Sequence, residues 1–263
     1  LIYYGKIVKE YAKRRWYIDM SNEILAMAGN TTLPIEKISD QVEYMLATES
    51  DSINVNTADD LMMKTYDTIV RASENKDSIP GQATGFKNID LKMGGMDGLV
   101  VIGARPGMGK TAFALNIAEH IAFNESKPVV FFSLEMDEQQ LMLRVLSSMT
   151  YIKYSALRYG EVTNDDWDKI ARFMNKSDKT EKLIICDRAN MTVRKIRSVC
   201  RRLKKQHGAL GAVVVDYLQL IEMPQNKNYT KAQAVGDVSR ALKILTKELG
   251  CPILALSQLN RAN

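Results

Sequence analysis

Long apolar runs are missing from this 263-residue chain. A helix that crosses a membrane needs roughly 18 or more consecutive apolar residues, and no stretch reaches that length. No membrane partner is therefore expected, and the opening residues lack a secretory signal pattern. Cysteine is scarce. Cys186, Cys200 and Cys251 are odd in number and have no paired metal-ligand spacing, which predicts reduced, mostly buried thiols of a cytoplasmic protein. A strong charge of one sign is also absent. The net charge of +5 permits a nucleic-acid partner without requiring one. There are no internal repeats and no low-complexity tracts. What remains is a globular composition, 46% hydrophobic and 25% charged, with room for one large domain and a smaller appendage. The chain has no initiator Met and stops just after an apolar run. Both ends read as cuts in a longer protein.

One stretch organises the rest: residues 99–111, LVVIGARPGMGKT. Apolar and β-branched residues give way to small residues and a proline, and a helical pattern opens at Gly109-Lys110-Thr111. Strand, glycine-rich loop and helix in that order make a phosphate-binding P-loop. Small residues let successive backbone N–H groups approach an anion without a Cβ in the way, and the positive end of the next helix faces the same anion. Ala104, Arg105, Pro106, Gly107, Met108, Gly109, Lys110 and Thr111 are the expected nucleotide-binding residues. Lys110 would reach the outer phosphates, and the Thr111 hydroxyl would bind Mg²⁺. The usual first glycine of the motif is Ala104 here, a residue small enough to keep the loop intact.

Upstream, residues 1–29 and about 35–46 read as two amphipathic helices joined at Asn30 and Pro34. A helical hairpin of this kind spans residues 1–49. Its cluster Arg14, Arg15, Trp16, Tyr17 reads as a solvated face beside a hairpin contact. Residues 50–79 form a linker with one more helix, capped by Thr57 and running to about Ser73. Leu61, Met62, Tyr66, Ile69 and Val70 lie on one side of that helix. Its stripe needs a surface, either an adjacent copy of the main domain or its own.

From residue 80 onward strand and helix alternate, which predicts an α/β fold with a mainly parallel sheet flanked by helices. Strands are expected at 99–102, 128–134, 183–186, 212–215 and 253–256. Helices are expected after the P-loop, after Glu135, through about Met174, over 192–206 and over about 231–249. Ligands of such sheets sit at the carboxyl ends of the strands. Here those ends deliver Gly103 and Ala104, Glu135, Asp187, Asp216 and Gln258. Asp216 would position Mg²⁺ beside the P-loop. Glu135 would orient and deprotonate the attacking water. Gln258 can hydrogen-bond a γ-phosphate and sense its loss. Asp187 stands just before a helix start and reads better as a cap. Lys110, Glu135 and Gln258 are thus the expected catalytic set, with Thr111 and Asp216 at the metal. No arginine near the strand ends obviously supplies the charge stabilisation such hydrolysis requires: Arg261 follows the last strand closely but could equally face another partner, and the catalytic arginine is otherwise expected beyond residue 263 or from an adjacent subunit. The basic helix 192–205, with seven Lys and Arg, reads better as a solvated outer face than as a nucleic-acid stripe. The polar segment 222–231 is the better strand-contacting candidate.

ARPGMGKTAFALNIA, FFSLEM (131–136), VVVDYLQLI (213–221) and ALSQLNR (255–261) stand in the order and spacing of the DnaB-type replicative DNA helicases, bacterial and phage. The resemblance covers residues 80–263, and the preceding helices resemble the end of that family's N-terminal domain and its linker. It implies a RecA-like P-loop NTPase with ATP and Mg²⁺. It implies a homohexameric ring that hydrolyses NTP at subunit interfaces and translocates 5′ to 3′ on single-stranded DNA. It also implies contacts with a primase and a helicase loader. By motif, Lys110 and Thr111 hold phosphates and Mg²⁺, Glu135 is the general base, Asp216 the metal-site acid and Gln258 the phosphate sensor. A RecA-like ATPase that uses ATP as an assembly switch is the competing class. The basic residues do not separate the two; the SLEM, DYLQL and LSQLNR triplet favours the helicase.

Overall fold

The computed structural model describes residues 2–48, 57–74, 79–175, 181–222 and 230–259. Two compact units divide the chain, residues 1–74 and 75–263. The first holds α1 (Ile2–Gly29), α2 (Ile35–Thr48) and α3 (Ala58–Glu74). Between α1 and α2 the Asn30 side chain accepts from Thr32 N and from its hydroxyl, and Pro34 leads into α2, as its fixed φ allows at a helix start. At the start of α3, Leu61 N donates to Thr57 O. Leu61, Met62, Tyr66 and Ile69 of α3 are exposed, at 49–68%, while Val70 is half-buried.

The second unit carries a five-stranded sheet, every pairing parallel: β1 (Leu99–Ala104), β2 (Val129–Ser133), β3 (Leu183–Cys186), β4 (Ala212–Asp216) and β5 (Ile253–Gln258), in the order β1-β5-β4-β2-β3. Strands β2 and β4 are buried throughout, which is why they read as unbroken apolar runs. Their side chains alternate between two cores. Val130, Phe132, Val213, Val215, Ile253 and Ala255 face Ile196, Cys200 and Leu203 of α9 (Val193–His207) and Val238, Leu242 and Leu245 of α10 (Lys231–Leu249). Phe131, Val214, Leu254 and Leu256 face Ala114, Leu115, Ile117 and Ala118 of α5 (Lys110–Glu119) and Leu141 and Val145 of α6 (Glu138–Thr150). Helices thus cover both faces. The fully buried Phe131 and Phe132 contribute about 1.5–3 kcal/mol each by removal from water.

Two short helices went unmarked by periodicity alone. One is α4 (Lys87–Met93), whose buried Asp90 accepts from Thr84 N, the Thr84 hydroxyl and Gly85 N. The other is α7 (Tyr154–Tyr159), which precedes α8 (Asn164–Met174). Thr163 opens α8 with a full capping box with Asp166, and α10 opens on a second one, Thr230 with Gln233. The Cys200 and Cys251 thiols are buried and unbridged, and burial pushes both upward, Cys251 to about 11.

Candidate nucleotide site

β1 delivers the chain to the carboxyl edge of the sheet, and the loop from Arg105 to Gly109 turns it into α5. Gly107 and Gly109 sit at φ +76° and +78°. An added Cβ at either would meet no atom within 4 Å. The demand for glycine is one of backbone sign, not of space. Ala104 is a strand residue, paired with Gln258, and its carbonyl accepts from Leu259 N at 3.0 Å. Its φ is not positive, so alanine there costs the loop nothing.

α5 begins at Lys110, and its first turn aims two side chains at β4. The Thr111 hydroxyl donates to Asp216 Oδ2 at 2.6 Å. Lys110 Nζ lies 4.0 Å from Asp216 Oδ1 and 4.6 Å from the centre of the Tyr217 ring. Asp216 is fully buried at the end of β4. Burial raises its pKa; the Thr111 hydrogen bond and the Lys110 charge pull the other way, and Glu135 adds to the rise. Asp216 Oδ1 is buried and accepts no hydrogen bond. A carboxylate oxygen left open beside a threonine hydroxyl is a hard donor set, and it suits Mg²⁺, which keeps much of its shell from phosphate and water. Among the described residues no cluster of three or more His, Cys, Asp or Glu could hold a metal by itself.

Glu135 follows β2 by two residues and is exposed. The turn that carries it is pinned: the buried Ser133 hydroxyl donates to Met136 O at 2.6 Å and accepts from Met136 N at 3.2 Å. Asp187 corrects an expectation. It does not cap α9, which Thr192 caps; it accepts from Glu138 N at 3.2 Å, at the start of α6. Sequence order hid this, because β3 is adjacent to β2 in the sheet and so brings Asp187 to the helix that follows β2.

Gln258 ends β5 beside Ala104, half-buried. Gln219, in the 3-10 turn Leu218–Leu220, donates to Ser257 Oγ and Gln258 O, both at 3.0 Å, and accepts from Gln258 N. Ser133, Tyr217 and Gln219 were not singled out from sequence, although the last two sit in the DYLQL motif. Lys110, Thr111 and Asp216 are in mutual contact; Glu135 acts on Asp216 through its charge. Arg261 and most of 222–231 lie outside the described residues. On α9, Arg197 donates to Glu248 Oε2 at 2.7 Å, Arg201 to Glu248 Oε1, and Lys204 to the Glu248 carbonyl. Part of that basic helix is therefore bonded to α10 rather than given over to solvent.

Residues 81–263 match the DnaB-like helicase C terminal domain. Over 98% of this chain the Bacillus subtilis replicative DNA helicase DnaC is 36% identical, and over 99% so is the replicative DNA helicase DnaB of Geobacillus stearothermophilus. The chain spans 58% of the length of each. Among solved structures, one ATPase domain is similar at a TM-score of 0.70 and 30% identity, covering 79% of this chain and 73% of that one. A DnaB-like replicative helicase, described with its interactions with primase, matches at 0.66 and 28%, covering 97% of this chain and 60% of that one. No helix among the described residues is long and apolar enough to cross a membrane. The chain belongs to the DnaB-like helicases, and its parallel sheet is the RecA-like ATPase fold of that family.

Proposed function

We propose that the protein containing this chain is an ATP-driven replicative DNA helicase. It works as a homohexameric ring that moves 5′ to 3′ on single-stranded DNA in the cytoplasm and cooperates with a primase and a helicase loader. The observation that carries the reading is the Lys110–Thr111–Asp216 contact at the carboxyl edge of the sheet, in a chain whose relatives are replicative helicases.

Residues 104–111 cradle the triphosphate, with their N–H groups and the start of α5 facing the anion. Lys110 lies against the β- and γ-phosphates. Thr111 and Asp216 hold Mg²⁺, which supplies neutralisation of charge on the phosphate oxygens. Glu135 orients the attacking water and takes its proton. Gln258 hydrogen-bonds the γ-phosphate and registers its departure. An arginine, Arg261 or one from a neighbouring subunit, stabilises the developing charge. Residues 1–49 form the end of an N-terminal domain, 50–79 a linker whose α3 docks on an adjacent subunit, and 80–263 the motor. Support for the docking is the exposed stripe Leu61, Met62, Tyr66 and Ile69, an apolar face that has to be covered.

The experiment is strand displacement on a forked duplex by the protein at its natural length, beside native mass spectrometry. Hexamers that unwind from a 5′ tail support the motor. Helical filaments that exchange strands without unwinding would move the reading to an ATP-dependent assembly switch.

A further inference from the structure

β5 runs past one of its neighbours. Its ladder with β4 stops at Val215↔Ala255, whereas its ladder with β1 continues to Ala104↔Gln258. Residues 256–258 would therefore have an unpaired side facing β4, just where the chain reaches the nucleotide edge. The Gln219 carboxamide occupies that side. Its Nε2 donates to Gln258 O at 3.0 Å and its Oε1 accepts from Gln258 N at 3.3 Å, so both main-chain groups of one residue meet one side chain. The same Nε2 reaches Ser257 Oγ at 3.0 Å. A carboxamide offers a donor and an acceptor side by side, as a peptide unit does. It replaces the strand that β4 no longer provides.

We infer that Gln219 is a positioning residue: by standing in for a sheet strand it fixes the Gln258 backbone, and so sets the γ-phosphate discrimination made by the Gln258 side chain. The inference rests on the reading of Gln258 as a phosphate sensor. The chemistry is specific to glutamine. Leucine offers neither bond. Ionised glutamate keeps the acceptor and loses the donor, and sets a negative oxygen against the Gln258 carbonyl. Asparagine is one methylene shorter and cannot span both groups. Placement follows from the turn, since Gln219 is three residues beyond Asp216 and the turn at 218–220 carries it from the end of β4 across to β5.

The test compares the protein at its natural length with Gln219→Leu, Gln219→Asn and Gln258→Ala, titrated with MgADP and with a non-hydrolysable MgATP analogue. ADP lacks the group that Gln258 meets, so its affinity is expected to hold within about twofold in every variant. The preference for the triphosphate is expected to fall about tenfold in Gln219→Leu and in Gln258→Ala, the fold-change of one lost hydrogen bond to a charged group. Gln219→Asn falls between. The double variant is expected to lose no more than either single one, because both act through one contact. A merely structural role would weaken both nucleotides alike or lower the melting temperature with the preference intact. If Gln258→Ala loses the preference and folded Gln219→Leu keeps it, the inference is overturned alone. If Gln258→Ala keeps it, the sensor reading fails and the inference with it. Faster amide hydrogen exchange at Gln258 in Gln219→Leu is expected in either case, and unchanged exchange there also overturns the stand-in strand.

Discussion

Thr111 and Asp216 stand 105 residues apart in the chain and 2.6 Å apart in space, the hydroxyl donating to the carboxylate. This bond joins the first turn of α5 directly to the end of β4. It gives the buried carboxylate one of the few polar partners it has. Replacing Thr111 by alanine leaves Asp216 short of a donor in a dry place, at a cost of about 1–3 kcal/mol. Serine keeps the hydroxyl and is expected to keep most of that stability. Urea unfolding of both variants without nucleotide checks this. An alanine variant as stable as the parent would mean that water already satisfies Asp216.

Gly109 tests the loop. Alanine at φ +78° meets no steric neighbour, so the loss comes from the left-handed backbone alone, about 1–2 kcal/mol. Gly109→Ala is expected to lower the melting temperature slightly and ATP affinity markedly, as the N–H groups swing away. Calorimetric titration with MgATP reads the second effect; unaltered affinity would show that the cradle does not depend on that φ.

Glu119 gives the fold a pH dependence. It is buried at the end of α5, and its Oε2 accepts from the Ser148 hydroxyl of α6 at 2.7 Å. Burial pushes its pKa up to about 7, against an ordinary 4.5, with the Ser148 bond pulling the other way. The raised pKa means that the folded state holds a proton the unfolded chain gives up. Stability is full below about pH 4.5 for this group, and is lost as pH rises through about 7. The loss is on the order of 3 kcal/mol. Glu119→Gln keeps the acceptor without the charge, so it is expected to match the parent at pH 5 and exceed it at pH 8. Parallel unfolding curves at the two values decide it, and equal stability of parent and variant at pH 8 would contradict the buried-carboxyl account.

The main elements were legible in residues 80–263 because buried parallel strands are uninterrupted apolar runs and their helices end on caps. Thr163, Thr192 and Gly250 mark their boundaries by chemistry that needs no partner from elsewhere. Lys110, Thr111 and Asp216 were legible because a P-loop and a strand-end carboxylate are local patterns. Gln219 and Asp187 were not. The partner of each comes from a strand neighbour, and the order β1-β5-β4-β2-β3 is a property of the assembled sheet that no window of residues contains. Asp90 lies beyond such patterns for another reason: its three bonds close a turn within residues 84–90, too short for any periodicity.

The basic helix α9 yields a negative prediction. Arg197 and Arg201 already meet Glu248, and the pairs are partly exposed, so Glu248→Gln is expected to cost less than about 1 kcal/mol. Arg202 and Lys205 are exposed on the same helix. Replacing both by alanine is expected to leave affinity for single-stranded DNA within about twofold, with an unchanged salt slope. A slope reduced by about 1.4, the loss of two phosphate contacts on a single strand, would instead make α9 part of a DNA track.

The most direct test of the motor is ATP hydrolysis by the protein at its natural length, with and without single-stranded DNA, beside Glu135→Gln. Glutamine is close in shape and cannot accept the water's proton. Strong stimulation by DNA is expected in the parent, and in the variant a turnover lower by about a hundredfold or more with ATP binding retained. Hydrolysis indifferent to DNA, or undiminished in Glu135→Gln, would contradict it.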